Sequence, residues 1–271
     1  MFIQMKNFTV VASYAQMFKE GLVVTILLSL FTVILGFVLA LVLVLMRMSS
    51  FRPLLWLAHA FPGVFGFFER DGSGMKRDSG FVYHLGRFNP LSFLATAYVE
   101  ILRSTPVLVQ IMIIYFGVFS ILVDLPTFKI FGFIRFNRFF PGVVALGMNS
   151  GAYLCEIIRS GVQSIDGGQT EAARSLGLKQ SQNFRYIILP QALKNILPAI
   201  ANEFVVIIKE SAITYTIGVQ DIMAAVQAVK GATSIIMEPL LVATFLYFCL
   251  CFPTSKVIAY FERRMSRGDK R

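Results

Sequence analysis

The sequence predicts an all-α integral membrane protein with about five transmembrane helices and a cytoplasmic two-helix loop, and three observations carry that prediction. Of its 271 residues 56% are apolar and only 15% charged, with a mean hydropathy of +0.70. Soluble domains carry about 25% charged residues, so a single soluble core has no use for this much apolar surface. Several stretches free of charge approach or exceed the ~20 residues a helix needs to cross a bilayer. Finally, Lys and Arg fall unevenly on the two sides those stretches define, which fixes an orientation.

Met1 to Glu20 lacks the basic start, short apolar run and small-residue cleavage site of a secretory leader, so the first apolar stretch is expected to stay as a span. Gly21 to Met46 is charge-free for 26 residues and gives span one. Ser104 to Val123 gives span two, and Phe139 to Cys155, running on toward Gly161, gives span three. Pro198 to Thr216 reads as span four although it contains Glu203, Lys209 and Glu210, and Pro239 to Ser255 is span five. With the N-terminus outside, 18 of the 25 Lys and Arg lie on the inner side, six on the outer side and Lys209 within a span. The expected topology is therefore N-out, C-in. It also accounts for the +10 net charge without any nucleic acid.

Two segments depart from plain helices. Ser211 to Gly218 is rich in β-branched residues and hydroxyls and is expected to interrupt span four, with a short helix over Gln220 to Lys230. Phe51 to Pro90 is a long connection with a polar centre, an atypical cytoplasmic insertion in a chain that otherwise reads as one transmembrane domain over 1–271. Cys155, Cys249 and Cys251 lie in apolar stretches without metal-ligand spacing and read as buried free thiols. His59 and His84 have no partner pattern and read as surface or interfacial residues.

Between spans three and four, residues 168–191 read as two short helices. Thr170 can cap the first and Glu171 suits its positive end; Ala172, Ala173 and Leu176 make a small apolar face, and Gly177 ends the helix. Ser181 can cap the second, which sets Phe184, Ile187, Ile188 and Gln191 on one face, and Pro190 permits a change of direction. A compact knob with a small-residue face suits a groove in another protein.

The pattern Glu171, Ala172, Ala173, then Gly177, Ile187, Leu189 and Pro190 resembles the coupling loop of permeases from ATP-binding-cassette (ABC) importers. Glu100 to Gln110 with Tyr115 to Gly117, Ala152 to Gly161, Asn202 to Ser211, and Phe261 to Arg264 narrow the resemblance to the polar amino acid (histidine/glutamine) uptake group, over a core of 19–264. The departure is the 51–90 insertion, where Leu55 to Ala60 looks like a copy of Phe93 to Ala97. The resemblance implies translocation of a polar amino acid across a prokaryotic cytoplasmic membrane. It also implies two ATP-binding-cassette ATPase subunits, a second permease chain (identical or sister), and an extracytoplasmic substrate-binding protein. Glu171, Ala172, Ala173, Gly177, Ile187 and Pro190 would carry the coupling.

The chain has no phosphate loop of the Gly-x-x-x-x-Gly-Lys type, so no cofactor or nucleotide is expected on it, and neither metal nor catalytic residues are assigned. Ionisable residues inside a bilayer usually face a bundle interior or a watery cavity. Lys209 and Glu210, with Glu203, either contact substrate or pair structurally. Glu156 and Arg159, three apart, read as an inner-side ion pair, with Glu156 also a path candidate. Arg103 and Gln110 either line the path or pack. Other classes are an ATP-independent channel or secondary transporter using Lys209 and Glu210, and a scaffold that holds an ATPase at the membrane.

Overall fold

The computed structural model describes residues 5–49 and 89–266. The 51–90 insertion, apart from its last two residues, and both histidines lie outside the described residues.

Apolar residues all round a helix leave its sides to be sorted by size and polarity, and α2 (Ala15–Met48), which follows the short α1 (Met5–Ala12), shows how. Gly21, Val24, Thr25, Leu28, Ser29, Thr32, Gly36, Ala40 and Leu43 are buried at helical spacing. The other side exposes Leu30, Ile34, Val38, Leu41 and Leu45, a surface suited to lipid. The buried stripe is small so that α5 (Phe136–Gln163) can approach closely. A Cβ on Gly36 would lie 2.8 Å from Ser150 Oγ, and one on Gly147 would lie 2.8 Å from Leu35.

Between them, α3 (Pro90–Ser104) starts on Asn89, whose side chain accepts a hydrogen bond from Ser92 N–H, with Pro90 in the first turn. It is bent by 112° from α4 (Val107–Met112), which runs on through a π-helical segment (Ile113–Phe119) and a closing turn (Ser120–Leu122). The hairpin of β1 (Lys129–Ile130) and β2 (Ile134–Arg135), register Lys129 to Arg135, leads into α5. After α5 come α6 (Gly167–Ser175) and α7 (Gln180–Asn183). From α7 the helical path continues through a π segment (Phe184–Ile188) into α8 (Leu189–Glu210). A 3-10 segment (Ser211–Ile217) closes at Gly218, and α9 (Ile222–Thr233) and α10 (Met237–Ser266) follow.

Three apolar clusters stack along the bundle. Val11, Phe18, Ile222, Val226 and Val229 lie where α1, α2, α9 and α10 meet. Leu28, Ile111, Leu146 and Ile217 form the middle. Ala40, Leu43, Val99, Leu154 and Cys155 join the C-terminal half of α2 to α3 and α5. Among the described residues, α2 and α10 are long and apolar enough to cross a membrane, and the bent pair α3–α4 makes a third. Helices α5 and α8 run 28 and 22 residues but carry polar groups, Asn149 and Ser150 in one and Glu203, Lys209 and Glu210 in the other. The 3-10 break falls where the β-branched run placed it, and the short helix after it is displaced by only a few residues. Of the thiols, Cys155 is buried and Cys251 half-buried, but Cys249 is exposed on α10. The outward side of a lipid-facing helix is as apolar as its packed side, so composition alone could not place it.

Candidate functional site: the α6–α8 knob and the charges within the bundle

Three local interactions shape the knob. Asp166, not Thr170, caps α6, its Oδ1 accepting from Gly168 N–H at 2.6 Å. The helix therefore starts four residues earlier than expected, and Thr170 instead accepts from Asn183 Nδ2 at 3.3 Å, tying α6 to α7. Gly177 ends the helix with φ of 78°, Gly177 N–H reaching Arg174 C=O and Leu178 N–H reaching Ala173 C=O, the paired bonds of a Schellman ending.

The expected apolar face is split. Ala173 is 1% exposed and turns inward, while Glu171 and Ala172 are exposed and Leu176 is 81% exposed. The second helix is likewise not a separate element. Lys179 N–H donates to Gln182 Oε1 at its start, leaving Ser181 inside the helix rather than at its cap. Helical structure continues unbroken through Pro190, because the π segment before it absorbs the ring. Proline has no N–H and its ring clashes with the carbonyl four residues back, and widening the preceding turn relieves both. Ile187 is half-buried and Pro190 exposed, while Phe184, Ile188 and Gln191 are at least partly buried, as the face predicted.

The knob is braced against both long helices that flank it. Asn195 Nδ2 of α8 donates to Ser164 Oγ at the end of α5 at 3.0 Å. One turn earlier Gly161 lets Ile196 nest, since a Cβ there would stand 2.3 Å from Ile196 Cγ1. Beside the knob, α5 and α8 are therefore fastened to each other.

The charged candidates separate into two groups. Glu156 accepts from Arg159 Nη2 and Nε, from Arg47 Nη1 at 3.2 Å, and lies 3.9 Å from Arg103 Nη1. One carboxylate thus collects arginines from α2, α3 and α5. Arg47 also donates to Thr96 Oγ1, and Arg103 sits 5.7 Å from the Tyr153 ring centroid. The Glu156–Arg159 pair was legible from its spacing; Arg47, 109 positions away from Glu156, offered no local signal. Gln110 is 6% exposed, and its Nε2 donates to Leu102 C=O, Thr105 C=O and Thr105 Oγ1, holding the 112° bend.

On α8, Glu203 and Glu210 are seven residues apart and lie on one stripe, both half-buried. Lys209 is exposed on a different side, and the structure brings no carboxylate within ion-pairing distance of it among the described residues. A second buried carboxylate lies at the start of α9. Asp221, 1% exposed, caps that helix through Ala224 N–H at 2.8 Å, a role the sequence reading did not assign. Among the described residues no group of three His, Cys, Asp or Glu could hold a metal ion.

Residues 80–267 match the family described as the binding-protein-dependent transport system inner membrane component. The chain belongs to that family. It is accordingly a multi-pass membrane transport subunit and not an enzyme. Its relatives include the arginine transport system permease protein ArtQ of Bacillus subtilis (strain 168), 34% identical over 250 residues, 92% of this chain and 93% of that one. The putative glutamine transport system permease protein GlnP of Rickettsia typhi is 39% identical over 175 residues, 65% of this chain and 76% of its own length. Among solved structures, an amino acid ABC transporter crystallised with histidines shares 34% identity and a TM-score of 0.74, covering 97% of this chain and 100% of the other. Family membership implies both an ATPase and a substrate-binding partner.

Proposed function

We propose that this chain is the permease of an importer that carries a polar amino acid, delivered by an extracytoplasmic binding protein and driven by ATP hydrolysis on two ATPase subunits docked at the knob. A second permease chain, identical or sister, completes the membrane core. Five spans, with the N-terminus outside and the C-terminus inside, are formed by α2, the α3–α4 pair, α5, α8 with its 3-10 extension, and α10. No nucleotide or other cofactor binds this chain.

The observation that carries this reading is the ridge of Glu171, Ala172 and Leu176. It is exposed on a helix whose inner face is packed and whose Thr170 is hydrogen-bonded to Asn183 of α7, which runs on into α8, itself bonded through Asn195 to Ser164 at the end of α5. Such a ridge transmits a push from a docked partner to α5 and α8 without deforming. Gly177 sets the helix end, Ile187 and Ala173 hold the knob together, and Pro190 sets the π segment that joins it to α8. The substrate names of the relatives, arginine and glutamine, fit a path that offers both charge types on α8: Glu203 and Glu210 for an ammonium or guanidinium, and Lys209 for a carboxylate. Glu156 and Arg103 are engaged with each other and with two further arginines, and Gln110 with the α3–α4 bend, which supports a positioning role at the path's inner mouth for all three.

The test is uptake of labelled amino acids into proteoliposomes holding the chain with its ATPase and binding protein, beside Glu171→Lys. ATP-dependent uptake of a polar amino acid, lost in the variant, is the expected result. Flux that ignores both ATP and the variant would overturn the reading in favour of a channel or secondary transporter.

A further inference from the structure

We infer that the groove between α1, α2 and α10 is a binding site for an acyl chain of an anionic phospholipid, with Lys19 meeting its phosphate. The cavity holds about 480 Å³ and is walled by Phe8 and Val11 of α1, Phe18 and Leu22 of α2, and Val242 and Leu246 of α10. Lys19 is the one charged residue in its lining.

The two helices that floor the groove are, among the described residues, long and apolar enough to cross a membrane, which makes hydrocarbon the medium expected at its mouth. Its third wall is held in place by a specific bond: Asn7 Nδ2 of α1 donates to Glu238 Oε1 of α10 at 2.8 Å, with Glu238 3% exposed. Helix α1 is thus pinned beside the groove, not collapsed into it.

Size selects the occupant. The groove's volume of about 480 Å³ takes a whole hydrocarbon chain, whereas a partner helix would seat only side chains in it and leave its backbone outside. Charge selects the headgroup. Lys19 stands two residues before the charge-free stretch that begins at Gly21, which sets its ammonium at headgroup depth. It is exposed, and no carboxylate lies within ion-pairing distance of it among the described residues.

The full chain in phosphatidylcholine nanodiscs doped with phosphatidylglycerol bearing a photoactivatable acyl tail tests this, with adducts mapped by mass spectrometry. Labelling at Val11, Leu22 and Val242 should exceed that at Phe245, an exposed reference on the same α10, by about five-fold, the value of one lysine near an anionic headgroup. The same tail on phosphatidylcholine should show no such excess. Lys19→Gln, a surface change that leaves the fold intact, should bring the groove to the reference level, and Leu246→Trp should block it. Groove labelling equal to the reference, an excess that survives Lys19→Gln, or adducts replaced by cross-links to a second copy of the chain would each overturn the proposal.

Discussion

At the residue scale the sharpest dependence falls on Gly177. Its φ of 78° belongs to the left-handed region, and a Cβ there would meet nothing within 4 Å, so any cost of substitution is purely conformational. Gly177→Val should cost roughly 1–2 kcal/mol at the end of α6 and weaken ATP-driven uptake, whereas Gly177→Asn, which tolerates this backbone, should retain most of it. Equal uptake by both variants would remove the helix end from the coupling surface. Glu156 sets a different kind of dependence, since among the described residues it is the one carboxylate within ion-pairing distance of Arg47, Arg103 and Arg159. Glu156→Gln leaves three guanidinium groups facing one another. The loss should be about 2 kcal/mol, below that of a fully buried pair because Arg103 and Arg159 are 36% and 40% exposed. Adding Arg47→Gln should recover part of it, since Arg47 is the most buried of the three at 17%. Thermal unfolding of the purified protein, single against double variant, reads both.

At the element scale, close helix approach is set by glycines whose neighbours differ in kind. Gly161 faces a side chain, Ile196, whereas Gly21 faces backbone, with a Cβ only 2.7 Å from the Asp221 carbonyl oxygen. Gly161→Ala should therefore destabilise by about 1–3 kcal/mol and be rescued by Ile196→Ala, which removes the clashing Cγ1. Gly21→Ala should resist rescue by any side-chain truncation, because the carbonyl can retreat only if α9 moves away from α2. Thermal unfolding of the four variants separates the cases. This contrast also marks what was legible in the sequence. The 3-10 break at Ser211–Ile217 and the end of α6 were readable because β-branching, hydroxyls and glycine act on their own backbone. The cap at Asp166 was missed although Asp is as good a cap as Thr, because the Gly167–Gly168 pair after it argued against a helix that early. The continuity of α7 into α8 was missed for a subtler reason. Proline signals a break only if the preceding turn is α-helical, and here that turn is π. What lay beyond sequence reasoning was long-range: Arg47 on Glu156 and Asn7 on Glu238.

At the scale of the whole molecule, α5 is the yardstick. Its 28 residues span about 42 Å at the α-helical rise, more than the ~30 Å hydrocarbon core. The Lys129–Arg135 hairpin lies at its start and the α6 knob just past its end, so in the proposed five-span arrangement the two would stand on opposite sides of the bilayer. The hairpin and the start of α5 carry Lys129, Arg135 and Arg138, so the difference lies in the whole count, 18 Lys and Arg on the knob's side against six on the hairpin's. Retention of Lys and Arg on the inner face would then put the knob in the cytoplasm and the hairpin outside, as proposed. Both tips are well placed to report this, Phe131 being 74% exposed and Leu176 81%. In a background with Cys155, Cys249 and Cys251 replaced by Ala, Phe131→Cys should react with a membrane-impermeant maleimide in intact cells, and Leu176→Cys should react only after the membrane is opened. Labelling of Leu176→Cys in intact cells with Phe131→Cys protected would invert the orientation. It would place the ridge on the side where no ATP is available, so the coupling assignment would fail with it.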